Sequence, residues 1–274
     1  MKTIQLHNGI HIPMIGLGTW KSKEDEAYQA VLHALKVGYR HIDTAFIYGN
    51  EKVVGQAIKD SGIPREDIFI TTKLWNSDQG YESALKAAEL SLTQLGLDYV
   101  DLYLIHWFKG HDKDLASWRA LEKLYKDGKA KAIGVSNHNV HHIEYLLEHA
   151  EIKPMINQVE THVELPNKYL QAYCESNGIL LQAYAPLMSS DIQTLLSKEV
   201  LQDIAKKYNK TVPQIAIRWL LQRGIIVLPK SINPSRIEQN NDVFDFELSE
   251  EDMTSIISLE TGRKRFPEMD NVPF

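Results

Sequence analysis

The sequence predicts an α/β fold, a (β/α)8 barrel with an N-terminal β-hairpin. Three observations support this prediction. The chain has 274 residues, of which 43% are hydrophobic, and such a barrel typically needs about 250. Short apolar runs alternate with segments of helical periodicity from Met14 onward, which is typical of parallel strands covered by helices. No linker or change in composition divides residues 1–274, so we expect one domain; a doubly wound open sheet is the alternative architecture.

The predicted elements follow in chain order. Residues 3–6 and 10–12 flank Asn8-Gly9, a pair that suits a tight hairpin turn able to plug one end of the barrel. Eight apolar strands are predicted at 14–17, 41–43, 68–72, 100–105, 132–135, 156–159, 179–183 and 225–228. Ten amphipathic helices, two more than the barrel needs, are predicted at 24–37, 51–58, 83–95, 115–125, 143–149, 167–176, 200–208, 212–223, 235–241 and 250–259. Asn50 is expected to cap the second helix.

Composition excludes several classes of protein. The net charge of −6 gives no overall attraction to a phosphate backbone, so we expect no nucleic-acid partner. Cys174 is the one cysteine, which rules out a disulfide within the chain and predicts a buried apolar role. No apolar run approaches the roughly 18 residues of a membrane span, and no secretion signal follows Lys2. These features predict a cytoplasmic protein with no membrane partner.

Four polar side chains fall at the ends of neighbouring predicted strands, where the active sites of such barrels lie. Asp43 ends the second strand and Tyr48 follows in its loop, while Lys73 and His106 end the third and fourth strands. Each alone has an ordinary explanation, as a turn residue, a packing aromatic, a solvated cation or a structural histidine. Their joint placement predicts a catalytic site.

This set suits the reduction of a carbonyl group, because a carbonyl that accepts a hydride needs a proton on its oxygen. Tyr48 can donate it, although a free phenol has a pKa near 10. The ammonium of Lys73 is expected to lower that pKa, and Asp43 to hold Lys73 charged and in place. His106 is expected to orient the carbonyl oxygen. General acid catalysis of this kind contributes about 10²–10⁴-fold.

Several motifs resemble those of the aldo-keto reductase family, in order from about residue 4 to residue 259. They are GYRHIDTA at 38–45 with YGNE at 48–51, TKLW at 72–75, LYLIHW at 102–107, GVSN at 134–137, and PKS at 229–231 with Arg236 and Asn240 behind it. The resemblance is to small bacterial-type members such as diketogluconate and methylglyoxal reductases. It implies the same barrel, with Asp43, Tyr48, Lys73 and His106 as a catalytic tetrad.

The resemblance also implies NADPH or NADP+ as the cofactor. It assigns the nicotinamide carboxamide and ring to Ser136, Asn137, Gln158 and Tyr184, whose flat aromatic ring suits stacking. It assigns the 2′-phosphate and adenine to Lys230, Ser231, Arg236, Gln239 and Asn240, near a helix start that favours a phosphate. Relatives often have Glu where this chain has Gln239. Three tryptophans are expected to line the substrate pocket: Trp20, Trp75 and Trp107.

Two other motifs are set aside. Gly16-Leu17-Gly18 begins like a dinucleotide-binding G-x-G-x-x-G, but Lys21 stands where the last glycine belongs, so the match is weak. The two glycines are expected to let the first strand turn near the cofactor. His138 and His142 are spaced like ligands on one helix face, yet H-E-x-x-H is absent. We expect no metal there, only an exposed helix.

The chain departs from the family pattern in two loops. Phe108 follows His106-Trp107 where relatives often have Pro, and only about eight residues precede the next helix, which leaves the mouth open. Residues 185–188 read Ala-Pro-Leu-Met where relatives often have Ser and Gly. The tail, residues 261–274, is expected to fold over the mouth, with disorder of its last residues as the alternative; it carries Arg263, Arg265, Phe266 and Phe274.

Small reactive carbonyls are therefore the expected substrates: methylglyoxal, glyoxal, simple aldehydes and keto-sugars. The resemblance favours a monomer. Two other functions stay open, an NADPH-sensing or partner-binding subunit and a barrel aldolase or isomerase in which Lys73 forms a Schiff base.

Overall fold

Residues 2–270, which the computed structural model describes, form ten strands and eleven α-helices. Strands β1 (Thr3–Gln5) and β2 (His11–Pro13) pair antiparallel as the predicted hairpin. The other eight strands are parallel and adjacent in chain order. They are β3 (Leu17–Gly18), β4 (His41–Asp43), β5 (Phe69–Leu74), β6 (Val100–Ile105), β7 (Ala130–Ser136), β8 (Ile156–Glu160), β9 (Leu180–Tyr184) and β10 (Ile226–Leu228).

The first and last parallel strands meet, which closes the sheet. The amide of Gly16 donates to the carbonyl of Val227 at 3.0 Å, and that of Gly18 to Pro229 at 3.1 Å. The amide of Val227 donates in turn to the carbonyl of Met14 at 2.8 Å. Closure leaves this sheet without a free edge. The predicted (β/α)8 barrel is confirmed.

The two glycines at the first barrel strand differ in how tightly they are packed, and packing requires a glycine only at position 16. A Cβ on Gly16 would lie 2.7 Å from the ring of His41 and 2.8 Å from Leu228. A Cβ on Gly18 would lie 3.4 Å from the carbonyl oxygen of Leu228. Neither glycine has a positive φ. The chain turns just after them, at Trp20 and Lys21 in the cavity wall, and the lack of a side chain at Gly16 lets the neighbouring strand and a buried histidine approach closely.

The helices cover the barrel. They are α1 (Glu24–Lys36), α2 (Glu51–Asp60), α3 (Tyr81–Leu95), α4 (His111–Lys126), α5 (Val140–His149), α6 (Lys168–Ser176), α7 (Ile192–Leu196), α8 (Glu199–Tyr208), α9 (Val212–Gln222), α10 (Pro234–Asn241) and α11 (Glu250–Ile257). All ten predicted helices are present within residues 2–270. The sequence gives no signal for α7, because five residues hold little more than one turn and show no periodicity.

Two local predictions are corrected. The sequence predicts a strand from residue 14, but β3 comprises only Leu17–Gly18, and the preceding residues bridge to β10. Asn50 precedes α2 without capping it. Its side chain instead donates to the carbonyl of Thr19 at 3.0 Å and accepts from the hydroxyl of Thr44 at 2.7 Å. It thus ties the loop after β3 to the loop after β4.

The core consists of aliphatic strand residues and the helix faces packed on them. Cys174 is buried as predicted, and burial raises the pKa of its thiol to about 12, so the group stays protonated. Within residues 2–270, no helix has the length and apolar character needed to cross a membrane.

Candidate active site

The four predicted catalytic side chains meet at the carboxyl ends of three adjacent strands. Asp43 is the last residue of β4, Lys73 lies near the end of β5, and His106 follows β6 directly. Tyr48 ends a single turn of 3-10 helix, Phe46–Tyr48, in the loop after β4. Because β4, β5 and β6 are neighbours in the barrel, these side chains face one mouth.

Lys73 forms the centre of this group and is fully buried. Its Nζ donates to Oδ1 of Asp43 at 2.6 Å, to the carbonyl of Thr44 at 2.8 Å and to the hydroxyl of Tyr48 at 3.5 Å. Burial lowers the pKa of Lys73 and raises that of Asp43, and the attraction between the two charges opposes both changes. The short charge-assisted bond identifies them as a buried ion pair.

Tyr48 differs from the expectation drawn from the sequence. Burial raises the pKa of its hydroxyl well above the ordinary value of 10.0, and the negative charge of Asp43 raises it further. The expected net lowering of this pKa is wrong, because burial and the carboxylate of Asp43, which is paired with Lys73 at 2.6 Å, outweigh the attraction of the ammonium for a phenolate. Tyr48 therefore remains a protonated phenol at neutral pH, which is the form that can donate a proton.

His106 is a neutral imidazole. Burial lowers the pKa of His106 well below its ordinary value, and the nearby charge of Lys73 lowers it further. Its ring packs edge-to-face against Tyr48, with centroids 5.7 Å apart, and against Trp75 at 5.1 Å. A neutral ring held in this way can donate one hydrogen bond to a substrate oxygen.

The residues predicted for the nicotinamide lie together at the ends of β7, β8 and β9. Asn137 donates from Nδ2 to the hydroxyl of Ser136 at 3.1 Å, and the hydroxyl of Tyr184 donates to Oδ1 of Asn137 at 2.8 Å. The backbone carbonyl of Gln158 accepts a hydrogen bond from the Ser136 hydroxyl at 2.8 Å. The side chain of Gln158 also donates to Oδ2 of Asp43 at 2.8 Å. The carboxamide residues are thus linked to the catalytic ion pair.

The residues predicted for the phosphate and adenine follow β10. Lys230 and Arg236 are exposed, and Ser231 is buried between them. The side chain of Asn233 accepts from the backbone N–H of Arg236 at 3.1 Å and so caps the start of α10. Gln239, exposed on the same helix, and buried Asn240 complete the set.

One cavity of about 800 Å³ joins these groups. Every predicted site residue lines it except Lys73, which lies behind Tyr48 and Asp43. The predicted pocket tryptophans all belong to its wall: Trp20, Trp75 and Trp107. Sequence reasoning missed other wall residues that only the folding of distant loops brings here, among them Lys21, Ile47, Gln193 and Pro213.

The described part of the tail, residues 261–270, folds over the mouth as predicted, and the buried side chain of Arg265 holds it there. Arg265 donates to Oε2 of Glu164 at 2.6 Å and pairs with Asp191 at 2.8 Å. Its backbone N–H donates to Oε1 of Glu160 at 2.7 Å. These carboxylates, which sequence reasoning missed, come from the last residue of β8 and from the loops that follow β8 and β9. Phe274 lies outside the described residues.

Phe266 brings the tail into the cavity. Its ring packs edge-to-face against Trp20 and Tyr184, with centroid separations of 5.3 Å in both pairs. Since Trp20 belongs to the predicted substrate wall and Tyr184 to the predicted cofactor wall, Phe266 spans both sides of the cavity.

Replacing Phe266 with Ala is expected to raise KM for a small aldehyde more than it lowers kcat. The aromatic contacts that close the mouth are each worth about 0.5–1.5 kcal/mol, whereas the proton donor is untouched. Steady-state kinetics measure the effect, with Glu268→Ala, an exposed change in the same tail, as the control. A fall in kcat alone would contradict this assignment.

The histidine-rich segment is not the exposed helix that the sequence suggested. His138 precedes α5 and His142 lies in its first turn, and both are buried. The ligand-type atoms of His141, His142 and Asp270 lie within 4.8 Å of one another. However, Nδ1 of His142 accepts from the N–H of Asn139 at 3.1 Å, so the ring proton is on Nε2, which donates to Asp270 at 2.9 Å. That tautomer leaves His142 no lone pair for a metal.

Comparison with known proteins agrees with this architecture. The model of the aldo/keto reductase family matches residues 14–261. A glyoxal reductase of Bacillus subtilis (strain 168) is 55% identical over 273 residues, which cover 99% of this chain and 98% of that protein.

Two solved structures extend the comparison. The crystal structure of MGS-M4, an aldo-keto reductase enzyme from a Medee basin deep-sea metagenome library, is 64% identical with a TM-score of 0.98, covering 99% of this chain and 100% of that one. A Bombyx mori aldo-keto reductase in complex with NADP is 38% identical with a TM-score of 0.91, covering 98% of this chain and 99% of that one. The family model and these near-complete alignments lead to one conclusion: this chain belongs to the aldo/keto reductase family of oxidoreductases, which use nicotinamide cofactors.

Proposed function

We propose that this protein reduces small aldehydes and ketones to alcohols, with NADPH as the hydride donor and Tyr48 as the general acid. One observation carries the proposal. The Tyr48 hydroxyl, kept protonated by burial, lies 3.5 Å from the Lys73 ammonium, which is paired with Asp43 at 2.6 Å. A neutral His106 packs against Tyr48 in the same cavity wall.

The chemistry divides between the cofactor and the protein. When bound, the reduced nicotinamide supplies the hydride. Tyr48 and His106 hold the carbonyl oxygen of the substrate by hydrogen bonds and make the carbonyl carbon a better acceptor. As negative charge develops on that oxygen, Tyr48 transfers its proton to it, and the neighbouring Lys73 ammonium stabilises the phenolate that remains. Asp43 keeps Lys73 charged and aimed at Tyr48.

The residues present fit a dinucleotide phosphate. The cavity of about 800 Å³ lies in the range of ligand and cofactor pockets, roughly 300–1,000 Å³. Polar carboxamide partners line the end near Tyr48, and the exposed cations Lys230 and Arg236 line the other end. We propose that Ser136, Asn137 and Gln158 bind the carboxamide and Tyr184 the ring. The remaining residues, Lys230, Ser231, Arg236, Gln239 and Asn240, would take the 2′-phosphate and adenine.

Replacing Arg236 with Ala is expected to raise KM for NADPH by roughly tenfold to a hundredfold, because a hydrogen-bonded cation on the 2′-phosphate is lost. KM for NADH, which lacks that phosphate, is expected to stay near the wild-type value. Steady-state kinetics with both cofactors measure the difference. An equal change for NADPH and NADH would place the phosphate elsewhere.

The absorbance of NADPH tests the activity directly. Wild-type protein is expected to oxidise NADPH with glyoxal, methylglyoxal and a simple aldehyde, and to prefer them to a steroid ketone or a bulky sugar. A steroid or bulky sugar favoured by orders of magnitude in kcat/KM would refute the substrate class. If no carbonyl is reduced although NADPH binds, the sensor or partner-binding function gains support.

The Schiff-base alternative conflicts with the contacts of Lys73. Its three N–H groups donate to Asp43, Thr44 and Tyr48, contacts that favour the protonated ammonium, which has no lone pair to attack a carbonyl. Lys73 also does not line the cavity. Borohydride in the presence of a carbonyl substrate is therefore expected to leave Lys73 unmodified.

We propose further that residues 1–274 form one domain that acts as a monomer in the cytoplasm, without nucleic acid. The cavity wall draws on residues from Gly18 to Pro267, so nearly the whole chain is needed to build one site. The net charge of −6 argues against a phosphate-backbone partner. Sedimentation velocity is expected to give the mass of one chain.

A further inference from the structure

A buried histidine outside the catalytic group has two hydrogen-bond acceptors. His138 is fully buried. Its Nδ1 lies 2.9 Å from the carbonyl oxygen of Ser136, and its Nε2 lies 3.0 Å from Oδ1 of Asp114 in the first turns of α4. A carbonyl oxygen can only accept, so Nδ1 must carry a proton.

Asp114 contacts the other ring nitrogen. Its Oδ1 lies 3.0 Å from Nε2 of His138, so the two side chains share a hydrogen bond. Both are buried, with side-chain exposures of 0% and 3%, so water cannot take the place of either partner. The Asp114 contact therefore fixes the orientation of the imidazole ring and keeps its Nδ1–H directed at the Ser136 carbonyl.

The pair encloses a residue of the cofactor site that has a left-handed backbone. Asn137, between Ser136 and His138, has a φ of 58°, in a region that Asn tolerates better than most residues with a side chain. The bond from His138 to the Ser136 carbonyl spans this residue. On its other side, the His138 carbonyl accepts from Nδ2 of Asn157 at 2.9 Å. Asn137 is thereby held in the orientation that receives the Tyr184 hydroxyl.

We propose that His138, held by Asp114, is a positioning residue that fixes Ser136 and the left-handed Asn137 for the nicotinamide carboxamide. This inference rests on the proposed function, in which Ser136 and Asn137 bind that group. Without the Asp114 contact, the ring of His138 can turn and release the Ser136 carbonyl. Asp114, remote from the cavity wall, would then influence cofactor binding through His138 alone.

The other neighbours of the His138 ring are aromatic. Phe108 and His142 pack edge-to-face against it, each with a centroid separation of 5.7 Å. Asp114 is the one carboxylate in direct contact with the ring of His138 among residues 2–270.

Replacing Asp114 with Ala tests the positioning role, because it removes the partner of Nε2. We expect KM and Kd for NADPH to rise roughly tenfold, with a smaller change in kcat at saturating NADPH. Asp114→Asn, which keeps an acceptor oxygen at nearly the same place, is expected to restore most of the binding. Asp112→Ala, an exposed change two residues earlier in α4, is the control and is expected to behave as wild type. Unchanged NADPH binding in a folded Asp114→Ala variant would overturn the positioning role.

A nuclear magnetic resonance spectrum of the wild-type protein tests the bond from His138 to Ser136 without relying on the activity of a variant. With ¹⁵N-labelled histidine, the imidazole whose signals are absent in His138→Phe is expected to carry a proton on Nδ1. A His138 ring protonated on Nε2 alone would overturn the proposal. Failure of wild-type protein to bind NADPH would instead remove the proposed function, and the histidine spectrum would still decide the state of His138.

Discussion

Replacing Tyr48 with Phe is expected to lower kcat/KM for methylglyoxal by roughly 10²–10⁴-fold, the contribution of a general acid. Phe keeps the ring that packs edge-to-face on His106 at 5.7 Å, so the shape of the cavity wall is preserved. What is lost is the proton donor 3.5 Å from the Lys73 ammonium. NADPH oxidation measures the activity, and NADPH fluorescence is expected to report unchanged cofactor binding.

Tyr184→Phe is the matched control, since Tyr184 is a second tyrosine in the same cavity wall. Its hydroxyl donates to Asn137, away from the Lys73 ammonium, so this variant is expected to keep most of its turnover. If both variants lost activity equally, or if Tyr48→Phe turned over like wild type, the proton donor would have to be another group.

Replacing Lys73 with Met is expected to affect both activity and stability. It leaves the buried Asp43 carboxylate without its ion-pair partner, which costs about 3–5 kcal/mol in the free energy of unfolding. Catalysis should fall as well, because no ammonium stabilises the developing phenolate of Tyr48. Urea denaturation and NADPH oxidation measure the two effects.

The double variant Asp43→Asn with Lys73→Met separates these effects. Removing both charges leaves no unpaired buried ion, so the double variant is expected to regain much of the stability lost by Lys73→Met while remaining inactive. If Lys73→Met were as stable as wild type, Asp43 would not be a buried carboxylate at neutral pH, and the contact between Asp43 and Lys73 would not be an ion pair.

The sequence by itself determines the order of elements and which residues share the mouth. Apolar strands alternate with amphipathic helices, and the carboxyl ends of parallel strands lie together, so the amino-acid pattern alone groups Asp43, Lys73 and His106. The motifs that resemble the aldo-keto reductases add Gln158, Tyr184 and the residues after β10. The roles assigned to these residues remain predictions for the experiments above.

Only the tertiary structure decided the pKa of Tyr48 and the contacts between residues that are distant in the sequence. The pKa of Tyr48 rises because the folded chain removes water from its hydroxyl and brings Asp43 near it, and neither effect has a local sequence signal. Arg265 reaches Glu164 and Asp191, which lie far earlier in the chain, and His138 reaches Asp114 across 24 positions. Hydrophobic periodicity in the sequence predicts which face of a helix or strand is buried. The loss of water around a side chain and the pairing of its charge depend instead on residues from distant parts of the chain, which only folding places next to it.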